Sequence, residues 1–317
     1  MLTSSLEVIG AKTESSEGSA ATLGATDYIL ASEIEISPMV ESVKRQGRSA
    51  SFDPFASVVG KQMVKIVIKT EFKASGTSGT PYAPLGALMQ ACVNTETATG
   101  GVNVVYAPTS AAASGFSCGG KTCTILFNND GMKYLATSCR GTFKTTWGAG
   151  EIVMIEFEMY GLYPTITDTA MPSTTLLSQL PLTFSAATIS FDAVTSLVLS
   201  KLEFDAGVKI EPRLDAAQAG VVKGFGVSSK EPKASFTFEM EKIATYDFNL
   251  KMKNKSQVAV SITYGTLGNQ IVLSLPKFQI DELKFDKGGP ATLVDLSGAP
   301  ARNSGDDHYT LTLGAAA

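Results

Sequence analysis

The stretch that most limits what this chain can become is Ser235 to Glu241. Phe236, Phe238 and Met240 alternate there with Ser235, Thr237, Glu239 and Glu241. A period of two puts the apolar side chains on one face of an extended strand and the polar ones on the other, so one face is predicted to be buried. Upstream, Leu202–Ile210 carries strand patterning, and Ala216, Gly220, Gly224 and Gly226 loosen the chain in between. Residues 202–240 therefore read as strand, long polar excursion, strand.

A similar unit spans Ile34 to Phe72. Ile34-Glu35-Ile36 precedes Ile66-Val67-Ile68 much as Leu202-Glu203-Phe204 precedes Phe236-Thr237-Phe238, and Arg45 answers Arg213. Near-constant spacing of matched segments suggests an internal duplication. The shared order of elements carries this expectation more than residue identity does.

The rest of the chain fits that frame. Pro84–Cys92 predicts a helix, with Pro84 in the first turn and Leu85, Leu88, Met89 and Cys92 on one face. Val102–Tyr106 reads as a strand. Thr122–Phe127 and Met132–Ala136 flank Asp130-Gly131, a hairpin turn signal. Arg140–Trp147 and Glu151–Tyr160 form a second hairpin, with Val153, Ile155, Phe157 and Met159 inward and Glu156 and Glu158 outward. In the second half Ile243–Met252 takes the helix position. Gln257–Tyr264, Gln270–Leu275, Phe278–Phe285 and Tyr309–Leu313 are the closing strands. Pro38 suits an edge strand or a strand end. Sequential antiparallel strands with one helix per half point to a small barrel or sandwich. The boundaries that follow are an N-terminal arm at 1–26, a first domain at 27–163, a linker at 164–181 and a second domain at 182–317.

Composition narrows the function classes. A length of 317 residues allows two domains or one large all-β unit. Charged residues make up 18%, against roughly 25% in ordinary domains, which fits a surface largely taken up by partners. The net charge of −4 argues against a surface that grips nucleic acid. No apolar run of about 18 residues occurs, so no spanning helix is expected. Residues 1–26 lack a basic start and an apolar core, so they read as a mobile or partner-bound arm rather than a secretory signal.

A search for chemistry finds no adequate residue set. Cys92, Cys118, Cys123 and Cys139 form no CxxC pair, and His308 is the single histidine, so no metal site is expected. Cys118 and Cys123 could bridge a hairpin or stay reduced. The glycines from Gly220 to Gly226 lack the Lys-Ser/Thr of a phosphate loop. His308 has no nucleophile motif beside it. Glu156 and Glu158 are spaced like a carboxylate pair, but Glu239 and Glu241 repeat the pattern, and a solvated face explains both. Trp147 suits a sugar platform or a packed hairpin end. Phe52 and Phe55 in one long loop, and Leu214 and Phe225 in another, are candidates for contact loops. No enzyme, cofactor or metal is expected.

One resemblance draws these readings together. Residues 202–213, LEFDAGVKIEPR, then 229–236, SKEPKASF, and in the first half 150–161, GEIVMIEFEMYG, followed by Leu162-Tyr163-Pro164-Thr165, resemble the major tail tube proteins of bacteriophages with long, non-contractile tails, in the version with a duplicated tube domain. The likeness covers most of residues 30–313. It implies an all-β fold with minor α: two tandem tail-tube-like barrel or sandwich domains, each with one flanking helix. It also implies rings of six such domains, three chains per ring, stacked into a virion tail tube through which DNA is ejected. The expected partners are sister copies, a tape measure protein, a tail terminator, a distal tail protein and passing DNA held without specific binding, with no membrane insertion. Assembly in the host cytoplasm follows from the same likeness. Loops 44–61 and 213–230, with Phe52, Phe55, Leu214 and Phe225, become candidates for contact between rings. Glu156, Glu158, Glu239 and Glu241 become candidates for the lumen. A β-sandwich adhesin or carbohydrate-binding module is the competing reading. A pilus or secretion-tube subunit would share the fold logic.

Overall fold

Alternation becomes extended chain almost wherever it occurs. The computed structural model describes residues 6–287 and 291–315. Its first half contains β1 (Glu7–Thr13), β2 (Tyr28–Ile29), β3 (Ala31–Val43), β4 (Val58–Glu71), α1 (Ala83–Ala91), β5 (Asn94–Thr99), β6 (Asn103–Pro108), β7 (Cys123–Asn129), β8 (Met132–Gly148), β9 (Met154–Leu162) and β10 (Thr165–Asp168). The second contains β11 (Thr188–Phe191), β12 (Leu199–Asp205), β13 (Val208–Leu214), β14 (Val222–Lys230), β15 (Lys233–Glu239), α2 (Phe248–Lys253), β16 (Gln257–Tyr264), β17 (Ile271–Asp286), β18 (Leu293–Pro300) and β19 (Thr310–Leu313). The protein is all-β with a minor helical share, and its sheets do not close into a barrel. The barrel alternative is thereby corrected: among the described residues, β3 at one margin pairs only with β4, and the far end of β17 pairs only with β18.

The order of neighbours recurs. In the first half it runs β1-β7-β8-β9-β4-β3. In the second it runs β11-β16-β17-β18-β15-β12. β10 returns to the start of β8, and β19 returns to the start of β17. Each helix lies between corresponding strands, α1 between β4 and β7 and α2 between β15 and β16. The halves meet where β12 pairs with the end of β8, and again where β19 pairs with β6. Eight strands thus lie side by side as β3-β4-β9-β8-β12-β15-β18-β17.

Register fixes which positions correspond. Ile34 faces Ile68 on the strand beside Phe157, as Leu202 faces Phe236 on the strand beside Leu296. Bulges at Ala31/Glu33 and at Leu199/Lys201 fall in matching places, so the match of Ile34 with Leu202 seen in the sequence fits the ladders, while the match of Ile66 with Phe236 is displaced by two residues.

One apolar core runs beneath these strands, including Ile66, Ile68, Phe143, Ile155, Phe157, Leu202, Phe236, Leu296 and, from the helices, Leu88 and Phe248. Trp147 is fully buried against Phe184 and Tyr264, ring centroids 5.5 and 5.1 Å away. It offers no sugar platform.

Several boundaries differ from expectation. Residues 1–5 of the expected arm lie outside the described residues. The remainder is no loose arm: β1 pairs with β7 along its whole length, and Ile9 and Ala11 are core residues. Residues 132–148 and 271–286 are each one strand rather than two, because a register shift or bulge carries the chain through the expected breaks. The expected linker 164–181 opens as strand β10. The second helix is short and begins at Phe248; Ile243 is exposed ahead of it, so only Tyr246 and Phe248 of that stretch are buried. The Asp130-Gly131 turn is as expected, both residues adopting positive φ, 43° and 97°.

Candidate assembly surfaces

The eight-strand sheet buries one face and exposes the other, because each strand alternates. On β9, Ile155, Phe157 and Met159 are buried, while Glu156 and Glu158 point to the opposite, half-exposed side. That face also carries Glu33 and Glu35 from β3, Lys65 and Lys69 from β4, Lys144 from β8, Lys201, Glu203 and Asp205 from β12, and Asp295 from β18. Carboxylates outnumber ammonium groups there. Part of it forms an open groove lined by Lys144, Thr146, Glu203, Asp205, Lys233, Ser235, Glu282 and Ser297.

Two of the candidate lumen carboxylates are held in ion pairs. Lys65 contacts Glu158 at 3.0 Å, and Lys144 contacts Glu156 at 2.9 Å. Burial pushes the Glu158 carboxyl up, but hydrogen bonds from Tyr160 and Lys65 and the Lys65 and Lys144 charges outweigh it, leaving its pKa below the ordinary carboxylate value. The hydrogen bond to Glu156 raises the pKa of Lys144. Glu239 is exposed at the end of β15. Glu241 lies beyond that strand, so it does not repeat the Glu158 position.

The long excursions form two hairpins, of which the first projects. β3 and β4 extend the first beyond the sheet, and residues 44–57 at its tip are exposed. Phe52 at that tip is fully exposed, while Phe55 is partly covered by Arg45, whose guanidinium carbon lies 5.8 Å from the ring centroid. The β13–β14 hairpin forms the second and lies back on the body, where the Gln62 N–H donates to the Gly220 carbonyl at 3.0 Å, with Leu214 exposed. Phe225 is only 1% exposed and packs on Tyr160, so it is a core residue and not a contact residue. Gly224 and Gly226 made its strand look like loop, and it pairs with β13 nonetheless. Arg213 anchors this hairpin to Glu17 and Ser117.

The sheet margins are a third surface, which alternation alone does not reveal. Met39, Val40 and Val43 on β3 and Phe285 on β17 are exposed apolar residues on strands that, among the described residues, pair on one side only there. Exposed margins of this kind template further strand pairing.

The other chemically capable groups are absorbed by structure. Glu14 is buried and accepts from the Thr122 hydroxyl at 2.5 Å, the Thr124 hydroxyl at 3.0 Å, and the Gly18 and Ser138 backbone N–H groups at 2.9 and 2.8 Å. His308 packs edge-on to Tyr309, and burial lowers its pKa. All four cysteines are free; Cys123 faces Cys139 across β7 and β8 rather than bridging to Cys118. Among the described residues, no cluster of three or more metal-ligating side chains occurs. None of their helices is long and apolar enough to cross a membrane.

No curated protein matches the chain. A family model described as phage tail tube protein matches residues 4–317. The chain belongs to that family, and is accordingly a structural virion protein of the tail rather than an enzyme.

Proposed function

From that membership, we propose that the chain is a tandem duplicate of the tube unit and builds the tube of a long, non-contractile tail, three chains to a ring. The first unit runs from about residue 7 to β10, the second from β11 to β19, joined through residues 169–187. The recurring strand order supports this most directly, since two unrelated halves would have no reason to repeat it. The open margins of the eight-strand sheet supply matching joints, as a heterologous interface that closes into a ring requires.

The polar face of that sheet would line the lumen. Its carboxylates, Glu156 and Glu158 among them, would repel a sliding polyanion and keep DNA from sticking during ejection. Glu239 joins them at the rim. The projecting first hairpin, with Phe52 and Phe55, and the exposed Leu214 on the second would meet the adjacent ring. Tube ends and interior would bind a tail terminator, a distal tail protein and a tape measure protein, with assembly in the host cytoplasm. Negative-stain imaging of the concentrated protein tests the reading. Rings with six similar lobes, or tubes stacked from them, are expected. A protein that stays monomeric and instead binds a glycan array would overturn it in favour of an adhesin.

A further inference from the structure

We infer that a cavity at the seam between the two halves binds a small tetrahedral oxyanion of the phosphate and sulfate class, held by Lys230 and Arg302 beside His308. The site does not depend on how chains join into rings.

Three segments far apart in the sequence build it. Residues 109–119 follow β6 in the first half, Lys230 ends β14, and residues 302–308 lie between β18 and β19. They border about 780 Å³ of space open to solvent, enough for such an anion with part of its hydration shell.

The hydrogen bonds across this seam leave its cations short of counter-charge. The Lys230 ammonium donates to the Thr109 carbonyl at 2.9 Å and to the Val93 carbonyl at 3.4 Å. An ammonium has three donors, so one N–H remains for a ligand. Asp306 acts on Lys230 only as a charge at a distance, and among the described residues no carboxylate pairs with it. The Arg302 guanidinium donates through Nε and Nη2 to the Ser304 carbonyl, at 3.3 and 3.0 Å, which leaves its Nη1 donors for a ligand. The carboxylate in the wall, Asp306, is already engaged: its two oxygens accept from the Ser110 backbone N–H at 2.8 Å and the Ser110 hydroxyl at 2.6 Å. Asp307 beside it turns away, to the backbone N–H groups of residues 303–305.

The wall therefore carries Lys230 and Arg302 against Asp306 alone, and protonation of His308 adds to the excess. The local sign is opposite to that of the whole chain, whose net charge is −4. Burial makes the excess costly. It lowers the pKa of Lys230; burial and the Lys230 charge lower that of His308, while Asp306 and Asp307 pull His308 the other way. The His308 Nε2 atom is buried with no hydrogen-bond partner among the described residues. An oxyanion among these groups supplies the missing counter-charge and accepts charge-assisted hydrogen bonds from Lys230 and Arg302. Its four oxygens accept from donors on different walls at once, which a halide cannot do.

His308 is the chain's one histidine, so its imidazole signals in a proton NMR spectrum report on this cavity alone. Sodium sulfate is titrated into the purified, unassembled chain at constant ionic strength, replacing sodium chloride. Sulfate keeps its charge over the range in which histidine titrates, so any pH dependence belongs to the protein. Saturable movement of the His308 signals is expected, with a rise in its pKa, because an adjacent anion favours the charged imidazole. Inorganic phosphate should move the same signals. Arg302 is exposed, so Arg302→Gln leaves the fold intact, and it should weaken sulfate binding about tenfold. Lys230→Met should weaken it at least as much. Signals that follow ionic strength alone, or an Arg302→Gln chain that binds sulfate as the wild type does, would overturn the site and leave the tube reading standing.

Discussion

β8 and β17 occupy the same place in their halves, yet one is finished and the other is not. Each pairs with the strand before it along its first part and with the strand after it along its last part. Beyond Phe143, β8 gains β12 on its free side, and the ring sinks into the core beside Phe204 and Tyr309. Beyond Ile280, β17 gains no strand on its other side among the described residues, and Phe285 stays half in water. Both rings point to the apolar side of their strands, and the neighbour differs. Exposure of an apolar side chain on an unfinished margin is thus informative where scattered surface apolar residues are not.

The sharpest way to break this comparison is to truncate both rings. Phe143→Ala should destabilise the isolated chain by about 3–5 kcal/mol, measured by denaturant unfolding. Phe285→Ala should cost only about 0.5 kcal/mol in the same assay, because the side chain is half exposed, while assembly is strongly impaired. Equal losses of folding stability would mean that the two strands are not counterparts.

Next come two glycines on corresponding strands, Gly161 opposite Val64 and Gly298 opposite Ala234. A Cβ at Gly161 would press on the Cys139 thiol, 2.7 Å away, which can rotate. At Gly298 it would strike the Gln279 backbone carbonyl, which cannot move without the strand. Gly298→Ala should therefore cost about 1–3 kcal/mol and Gly161→Ala less, by thermal unfolding. The reverse order would place the tighter packing in the wrong half.

Glu14 has no counterpart in the second half and tests the first half alone. Glu14→Ala leaves the Thr122 and Thr124 hydroxyls and the Ser138 N–H without their buried acceptor. A loss of about 1–3 kcal/mol is expected, read from denaturant midpoints.

The smallest effect is electrostatic. The Glu158 pKa is lowered by folding. Its contribution is present above the unfolded value of about 4.3 and disappears as pH falls through the lowered folded value. Glu158→Gln should flatten the melting temperature's pH dependence in that acid window and leave neutral pH nearly unchanged. Lys144 behaves oppositely: its raised pKa makes its contribution full below its unfolded value and lost as pH rises through the folded one.

Much of the fold was legible because alternation and burial are the same fact in a half-buried strand. Val153, Ile155, Phe157 and Met159 are all buried, as are Phe236 and Phe238. The α1 spacing was equally direct. Strand β18 was missed: Ser297-Gly298-Ala299-Pro300 has few residues with strand preference, and its pairing is dictated by β15 and β17 on either side. β1 was missed because only Ile9 and Ala11 carry its inward face. Among the site candidates, Phe52, Phe55 and Leu214 are exposed on the two hairpins, but Phe225 on the second is buried, since a glycine-flanked aromatic looks the same in a loop and in a bulged strand. The sheet margins were invisible, because pairing partners far apart in the chain leave no local pattern.

The most direct test is a reconstruction of tubes assembled from the purified chain, with the wall resolved well enough to follow strands. The account predicts three chains per ring, two similar lobes from each, and a sheet that runs without a gap from β17 of one chain into β3 of the next. Six chains per ring, or chains that touch only through side chains at those margins, would contradict it.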